Sequence, residues 1–296
     1  MSREGGPPKI SVVIAAWNGP AALHACLASL VEQVAGEDVE VIVAANFTEP
    51  SLAEAFPFAR LLFVGEDATV PMLRSAGMRE ACGEIVATVE DHMRFDAGWC
   101  REIRRAHQLA HAAIGGSVDN AAGQGLVDWA MYLLDYSAYM PPNSAGPVLA
   151  LSGANISYKR AALQPLEPML RQGLFENSLN EALRRGGHTL YLAPPAIVYH
   201  DKHYRLSEAL AQCYHLARVY GAQRVAGASA RRRSTYAAGS LVLPLLLPAR
   251  VIARTLAKRR HVRELVLALP VLLLLELAWS LGELCGYLFG ERASDA

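Results

Sequence analysis

The sequence predicts an α/β protein with a mostly parallel sheet and flanking helices. The first observation is a continuous apolar run from Ile10 to Trp17 ("ISVVIAAW"), which has the length of a strand buried on both faces. The second is the segment that follows it, in which apolar residues recur at helical spacing. The third is that this order repeats along the chain. Strands that alternate with helices favour parallel pairing through crossover helices.

The N-terminal part of the chain supplies four predicted strands and two predicted helices. The first helix lies in "NGPAALHACLASLVEQ", where Asn18 and Pro20 suit a helix start. The segments "VEVIVAAN" and "ARLLFVGE" are predicted to be the second and third strands. "VPMLRSAGMREACG" is predicted to be a helix closed by Gly83, and "EIVATV" is the fourth strand.

Less regular elements follow the fourth strand. "WCREIRRAHQLAHA" is predicted to be a helix, and "AIGGSVDN" a strand with a glycine turn. "LALSGANISYKRAAL" has the pattern of a strand, a turn and a helix. "LFENSLNEALRRGG" is predicted to be a helix with a glycine stop, and "HTLYLAPPAIVYH" a final pair of strands.

Composition excludes some classes of function. The chain has 296 residues and a formal net charge of zero, so no long-range field attracts it to nucleic acid. Its five cysteines are scattered without a close pair, which favours neither a disulfide framework nor a zinc site. Reduced thiols in a cytosolic compartment are the expectation, and the polar start "MSREGGPPK" predicts no signal peptide.

Three ionisable residues stand at the end of the fourth predicted strand. Glu90, Asp91 and His92 interrupt an apolar run that is otherwise typical of a buried strand. In open α/β sheets, ligands bind at the carboxyl ends of the strands. The sequence therefore predicts a functional site at these three residues, although a solvated strand end with ordinary charges would show the same pattern.

Four segments, in this order and spacing, resemble the family-2 glycosyltransferases with the GT-A fold. The resemblance covers roughly Ile10 to Arg205, and it is carried by "ISVVIAAWNGPAALHACLASL", "VPMLRSAGMREACGEIVATVEDH", "LSGANISYKRAAL" and "FENSLNEALRRGGHTLYLAPPAIVYH". It implies a GT-A fold and a nucleotide-sugar donor. In the family the fourth strand ends in an acidic motif that holds Mg²⁺ or Mn²⁺ against the donor diphosphate.

The resemblance also implies roles for individual residues. Glu90, Asp91 and His92 match the metal motif, and an imidazole in place of the second aspartate favours Mn²⁺ over Mg²⁺. Glu176 matches the family's catalytic base, which takes the proton of the acceptor hydroxyl in inverting members. His200 matches a histidine that faces the metal or diphosphate. The residues implied in donor binding are Ala16, Asn18, Asn46, Arg74, Glu90, Asp91, Gly153 and Asn155.

One departure from the family pattern affects the donor site. The second strand of family members ends in an acidic residue that contacts the base or ribose, but here Ala45 and Asn46 stand there. An asparagine can still donate and accept hydrogen bonds. The sequence therefore does not identify the base of the nucleotide donor. It also allows a second interpretation, in which the glycosyltransferase domain has lost its activity.

The C-terminal region is predicted to associate with a membrane. Glu264 to Gly290 is about 27 residues long, enough to cross a bilayer of roughly 30 Å as a helix. Glu276 and Glu283 fall on one face of it, and Gly282 with Gly286 permits close helix contact. The shorter run Ser240 to Ala253 is predicted to be re-entrant or interfacial. Basic residues on both sides of it would then lie at the cytoplasmic surface.

These observations predict two parts, a GT-A catalytic domain at 8–228 and a hydrophobic helical membrane-associating region at 235–290. The leading hypothesis is a metal-dependent, inverting glycosyltransferase at the cytoplasmic face of the membrane. Its acceptor would be lipid-linked or a precursor of a surface polysaccharide, and a homodimer through the C-terminal helices is possible. The alternative is a membrane-anchored scaffold without activity. A nucleotidyltransferase is disfavoured because "AAWNGPAAL" has no basic residue for a phosphate loop.

Overall fold

The computed structural model describes residues 9–35, 38–121, 125–173 and 175–290. The chain divides into two compact units, the first formed by 1–120 and 139–201 and the second by 121–138 and 202–296. The strands, all in the first unit, are β1 (Ile10–Ala16), β2 (Val39–Ala45), β3 (Ala59–Phe63), β4 (Ile85–Glu90), β5 (Met93–Phe95), β6 (Ala113–Asn120), β7 (Gly146–Val148), β8 (Asn155–Lys159) and β9 (Leu190–His200). The helices of the first unit are α1 (Pro20–Ala35), α2 (Pro50–Ala55), α3 (Val70–Glu80), α4 (Trp99–Ala106), α6 (Arg160–Leu163), α7 (Glu167–Leu170) and α8 (Glu176–Arg185), with a 3₁₀ turn at Gln164–Leu166. The second unit holds α5 (Leu126–Tyr136), α9 (Leu206–Arg224), α10 (Ala230–Ser240), α11 (Leu243–Lys258) and α12 (Val262–Phe289).

One half of the sheet is parallel, as the sequence predicts. β1 lies between β2 and β4, β3 follows β2, and all three pairings are parallel. Every residue of β1 is buried, which is why its sequence is apolar without alternation. This half places the carboxyl ends of β1, β2 and β4 at one edge of the sheet.

The other half makes the sheet mixed. β8 pairs antiparallel with both β4 and β6, and β9 pairs parallel with β6. The short strands β5 and β7 pair antiparallel with β9. Local patterns do not report strand direction across distant segments, so the sequence indicated the α/β class but not this reversal.

The predicted pair of strands in "HTLYLAPPAIVYH" is wrong, because the structure has one strand. Residues 190–193 of β9 pair with residues 113–116 of β6, and residues 197–200 pair with residues 117–120. The three residues between, which include Pro194 and Pro195, form a bulge. Proline has no N–H to donate to a ladder, so an irregularity of the strand is where it is tolerated.

The order of elements in "LALSGANISYKRAAL" also differs from the prediction. Residues 149–151 are not a strand, and the strand β8 comes after the turn at Gly153 and Ala154. Of the apolar residues before the turn, Leu151 packs in a cluster of buried core residues. A short apolar run was therefore misassigned, which is the usual ambiguity of such runs.

His107, which follows α4, makes folding of the first unit dependent on pH. The imidazole is buried, and its Nε2 lies 2.8 Å from Ser157 Oγ. Burial, with a smaller contribution from the charge of Lys159, lowers the pKa of His107 to about 3. In the unfolded chain His107 is protonated as the pH falls below about 6.5, whereas in the folded protein it stays neutral until a much lower pH.

We expect stability to fall as the pH drops from about 6.5 toward 3, by up to about 1.4 kcal/mol per pH unit. Thermal unfolding at pH 7 and pH 5.5, followed by tryptophan fluorescence, measures the difference. His107→Gln should be less stable at pH 7 but lose less on acidification. His188→Gln, at an exposed position of the same unit, is the control. A variant at position 107 with the wild-type pH slope would contradict the assignment.

The second unit is helical, and α12 packs mainly on α9 and α5. Among the described helices, α12 is the one long and apolar enough, by length and composition, to cross a membrane. α10 and α11 pass the same criteria only as a pair, and they are bent by 58° at their junction. Glu276 and Glu283 are both buried, as their shared face predicts. Membrane association and the predicted domain limits stay predictions.

Candidate active site

The site is built where β1 and β4 end side by side. Their parallel register pairs Ala15 with Glu90, so the loop after β1 lies next to the residues that follow β4. Glu90 is the last residue of β4, and its carboxylate is partly exposed, whereas Asp91 and His92 are buried. The three residues of the predicted metal motif therefore differ in exposure, although the ring of His92 lies 3.5 Å from the carboxylate of Glu90 and 3.8 Å from that of Asp91.

Asp91 has contacts that differ from those of the predicted metal ligand. Its side chain is fully buried, and its Oδ2 accepts hydrogen bonds from the backbone N–H of Trp17 at 2.9 Å and of Asn18 at 2.7 Å. Its Oδ1 accepts a third from Asn18 Nδ2 at 2.6 Å. These three neutral donors stabilise the carboxylate and hold the β1–α1 loop against the end of β4. We therefore give Asp91 a positioning role.

His92 is oriented by neighbours on both sides of its ring. Its Nδ1 lies 3.2 Å from Asn18 Nδ2, and its Nε2 lies 3.5 Å from Glu90 Oε2. His200, the last residue of β9, is fully buried, and its ring centroid lies 5.1 Å from that of His92. The pairing of β5 with β9 brings the two together, since it aligns Met93 with His200. One carboxylate and two imidazoles thus meet at this end of the sheet.

This donor set fits a divalent transition metal by its chemistry. Carboxylate oxygen and imidazole nitrogen together suit Mn²⁺, whereas an all-oxygen set would suit Mg²⁺. As the side chains lie, no three histidine, cysteine or acidic groups within the described ranges are close enough to hold a metal ion. The other oxygen of Glu90, Oε1, contacts Arg74.

Arg74 joins the end of β4 to the start of α8. It lies on α3, its side chain is 10% exposed, and its Nη1 donates to Glu176 Oε2 at 2.9 Å while Nη2 donates to Glu90 Oε1. The side chains of Glu90 and Glu176 are 18% and 21% exposed. One guanidinium therefore bridges both carboxylates that the sequence singled out, and its planar fork of donors suits this bridging.

Gly153 leaves the space in which this bridge sits. A Cβ at position 153 would lie 2.4 Å from Arg74 Nη1 and 2.9 Å from Glu176 Cδ, so a side chain would displace the ion pair. Thr88 Oγ1 donates to the carbonyl of Gly153 at 3.3 Å, which ties the turn to β4. The resemblance implied close approach of a donor at this glycine, and the structure shows close approach of the arginine and the carboxylate.

The other predicted donor-binding residues have different surroundings. Asn155 is fully buried, accepts from Trp99 Nε1 at 3.0 Å, and donates to the carbonyls of Ser117 and Ala196 at 2.9 Å. These bonds fill the bulge of β9, so the contacts of Asn155 are structural. The buried Ala16 and the partly exposed Asn46 lie at the ends of the neighbouring strands β1 and β2. There the carbonyl of Ala16 accepts from the backbone N–H of Asn46 at 3.3 Å.

A family model described as glycosyl transferase family 2 matches residues 11–166, which is more than half of the chain. The chain belongs to this family. The match covers β1 to α6 and includes the metal-motif residues, Arg74 and Gly153, while Glu176 and His200 lie beyond it. A search of curated protein sequences found no match.

Solved structures confirm the GT-A fold of this family-2 chain. The mannosyltransferase PcManGT from Pyrobaculum calidifontis, solved with GDP-Man and Mn²⁺, has a TM-score of 0.55 and 16% identity over 94% of this chain and 88% of its own. GalNAc-T7 with UDP, GalNAc and Mn²⁺ has a TM-score of 0.51 and 14% identity over 67% of this chain. S. aureus TarS has the same TM-score and identity over 73% of this chain. The matches span 44% of the GalNAc-T7 chain and 40% of the TarS chain.

Two features of this family-2 site escaped the sequence reasoning. Trp17 follows β1 directly and is 47% exposed, although its neighbours in β1 are buried. The sequence showed an apolar run ending in a tryptophan beside Asn18, but a buried strand end was the simpler reading. Tyr158, on β8, lies close enough to Glu176 and Arg74 for both to affect its pKa, which burial raises, Glu176 raises further and Arg74 lowers. Tyr158 therefore stays protonated.

Proposed function

We propose that this protein is a metal-dependent glycosyltransferase that moves a sugar from a nucleotide-sugar donor to an acceptor hydroxyl with inversion. One observation carries the proposal. Arg74 binds both Glu90, at the end of β4, and Glu176, at the start of α8. The residue implied as the base and the residue implied as a metal ligand therefore contact one guanidinium, which supports placing both in one site.

Glu176 is the proposed general base. Its Oε2 accepts from Arg74 Nη1, so the carboxylate is held in place at the N-terminus of α8, where a negative charge is favoured. We assign to Oε1 the acceptance of the proton from the acceptor hydroxyl as that oxygen attacks the anomeric carbon. A base at this position supports single displacement, and therefore inversion.

Glu90, His92 and His200 are the residues that would hold a divalent ion, Mn²⁺ in preference to Mg²⁺. When bound, the ion supplies positive charge that stabilises the diphosphate leaving group. GalNAc-T7 and PcManGT were each solved with Mn²⁺ and a nucleotide or nucleotide-sugar, which supports this proposal. Those two structures hold different bases, so both UDP and GDP donors need to be tested.

A binding experiment tests the metal and donor assignment. We expect UDP or GDP to bind the full-length protein in detergent with an affinity that rises at least about tenfold when Mn²⁺ is added. His92→Ala should abolish most of this gain, and His188→Ala, at an exposed position, should keep it. Titration calorimetry gives the affinities, and Mn²⁺ electron paramagnetic resonance reports the metal directly. Equal metal dependence in His92→Ala and wild type would exclude His92 as a ligand.

A second candidate is a membrane-anchored scaffold with a glycosyltransferase domain that lacks activity. It is favoured by Ala45 and Asn46 at the end of β2, where the resemblance implies a carboxylate. A scaffold would bind neither nucleotide in a metal-dependent manner. The calorimetric experiment therefore separates the two functions before any acceptor is known.

We further propose a lipid-linked or surface-polysaccharide acceptor and a location at the cytoplasmic face of the membrane. The support is the apolar helix α12 together with the basic residues that precede it. An acceptor with an apolar anchor would be available to an enzyme held at a membrane surface. Turnover with lipid-linked and water-soluble acceptors of the same sugar would test this preference.

A further inference from the structure

The second unit has an apolar face that its own helices leave uncovered. Leu267, Leu274 and Phe289 of α12 are exposed. Five further exposed apolar residues of this helix follow a spacing of seven, four, four and seven, which keeps these five on one side of it. They are Val266, Leu273, Leu277, Leu281 and Leu288. On α11, Leu245 and Leu256 are exposed, at 77% and 50%. This surface of α11 and α12 is called the leucine face below.

The opposite side of α12 is fixed against α9 at backbone distance. A Cβ on Gly282 would lie 2.2 Å from the carbonyl oxygen of Tyr214, and a Cβ on Gly286 would lie 2.2 Å from that of Arg218. The two contacts advance by four residues on each helix, so α9 and α12 run parallel. The small residues that the sequence predicts for helix packing are therefore used inside the unit.

Two of the three carboxylates of α12 also face inward, and the third, Glu264, lies in the first turn with a side chain that is 30% exposed. Glu276 and Glu283 are 3% and 6% exposed. Glu283 accepts hydrogen bonds from Trp279 Nε1 at 2.8 Å and from Tyr287 Oη at 2.5 Å. Glu276 and Glu283 therefore lie away from the leucine face.

α9 is too polar to accompany α12 across a bilayer. Glu208, His215 and Arg224 on α9 are exposed, and Arg218 lies at the contact with α12. Each charged side chain at the bilayer centre costs at least about 2.5 kcal/mol, even by the scales that give the lowest values. Since α12 is held along α9, a spanning α12 would bring these groups into the hydrocarbon. A helix lying in one leaflet leaves α9 in water.

The net charge of this part of the chain favours one class of partner. Between Ala209 and Arg263 the chain has eleven lysine and arginine residues and no aspartate or glutamate, although the whole chain has a net charge of zero. Arg250 and Arg254 are exposed on α11, the helix that carries Leu245 and Leu256. Apolar residues bordered by basic ones are typical of helices that lie in the interface of an anionic membrane.

We infer that the leucine face inserts into one leaflet of an anionic bilayer, with α12 lying parallel to the membrane plane. This inference specifies the membrane association proposed above. A second copy of the chain is a poorer occupant, because pairing the leucine faces would bring two uncompensated basic segments together. The partner is therefore a lipid surface with negative headgroups.

Vesicle binding tests the partner. The full-length protein should bind vesicles of phosphatidylcholine with phosphatidylglycerol, and bind vesicles of phosphatidylcholine alone at least about tenfold more weakly. Leu273→Gln combined with Leu277→Gln should weaken binding at least about tenfold. The control Leu149→Gln changes a residue of the first unit that is 73% exposed, and it should have no effect. Arg250→Gln with Arg254→Gln should weaken binding, whereas Arg171→Gln with Arg185→Gln should not.

Depth measurements test the orientation. Single cysteines at Val266, Leu277 and Leu288, in a chain with Cys82 and Cys285 changed to serine, would carry nitroxide labels. Labels at equal, shallow depth support a helix in the interface. A label at position 277 much deeper than the other two would show a span, and a dimer that buries the leucine face without vesicles would show a second copy. Either result, or equal binding to both vesicle types, overturns the inference.

Mn²⁺-dependent nucleotide binding in detergent should survive in every variant. A failure of the membrane inference is therefore distinguishable from a failure of the proposed activity.

Discussion

Replacing Glu176 with glutamine is expected to lower kcat by about 10²- to 10⁴-fold, the usual contribution of a general base. Glutamine has nearly the same shape, and its amide oxygen can still accept from Arg74 Nη1, so the ion-pair geometry should change little. What it loses is the ability to take a proton from the acceptor hydroxyl. Affinity for Mn²⁺ and nucleotide should stay close to that of the wild type. Steady-state turnover and titration calorimetry measure the two quantities separately.

Glu181→Gln is the matched control for this variant. Glu181 lies on the same helix, its side chain is 57% exposed, and it pairs with Arg185 only one turn away. Its replacement should leave kcat unchanged. Full turnover by Glu176→Gln would show that another group receives the proton, and it would remove the main support for single displacement at this carboxylate.

Replacing Arg74 with methionine is expected to abolish most turnover and to destabilise the first unit. The change leaves two carboxylates, 18% and 21% exposed, without the cation between them. Removing one partner of a buried ion pair costs about 3–5 kcal/mol, and the partial exposure here places the expected loss near the low end. Two negative charges without their cation would also repel each other and move Glu176 from its position. Thermal unfolding and turnover, measured on the same preparation, report both effects.

Arg74→Lys separates charge from geometry. An ammonium keeps the positive charge but lacks the planar fork that donates to both carboxylates, so it should restore part of the stability and less of the turnover. Arg79→Met is the control, because Arg79 lies on the same helix in an exposed ion pair with Glu167. Such exposed pairs contribute about 0–1 kcal/mol. Equal turnover by wild type and Arg74→Met would contradict a shared site for Glu90 and Glu176.

The residues at the end of β4 show how far local sequence reasoning reaches. An apolar run that ends in Glu90, Asp91 and His92 predicts a strand end with ionisable groups, and the structure has one there. Asp91 and His92 lie in the turn between β4 and β5, and the residues packed around them decide what each one does. Asp91 is held by donors 73 and 74 residues away in sequence, so its inward orientation has no local signal.

His200 and the inner face of α12 show the same difference between what local sequence predicts and what only the tertiary structure decides. A histidine after a strand is ordinary in sequence, and its place beside His92 depends on β5 pairing with β9. On α12 the inner face could be recognised, because seven-residue and four-residue spacings return to one side of any helix. Which helix that face would contact could not be recognised, since the contact with α9 depends on how separate helices pack.

The sequence by itself determined the elements whose character comes from neighbouring residues: the apolar strands β1, β2 and β4, the helices between them, and the inner face of α12. It also placed Glu90 at a strand end, because burial and periodicity are local properties of a chain. The tertiary structure alone decided that β8 runs antiparallel, that Asp91 holds a loop, and that Arg74 bridges Glu90 to Glu176, which is 102 residues away from it. The physical reason is that hydrogen bonds and ion pairs act over a few ångströms in space, and only the folded backbone brings distant segments that close.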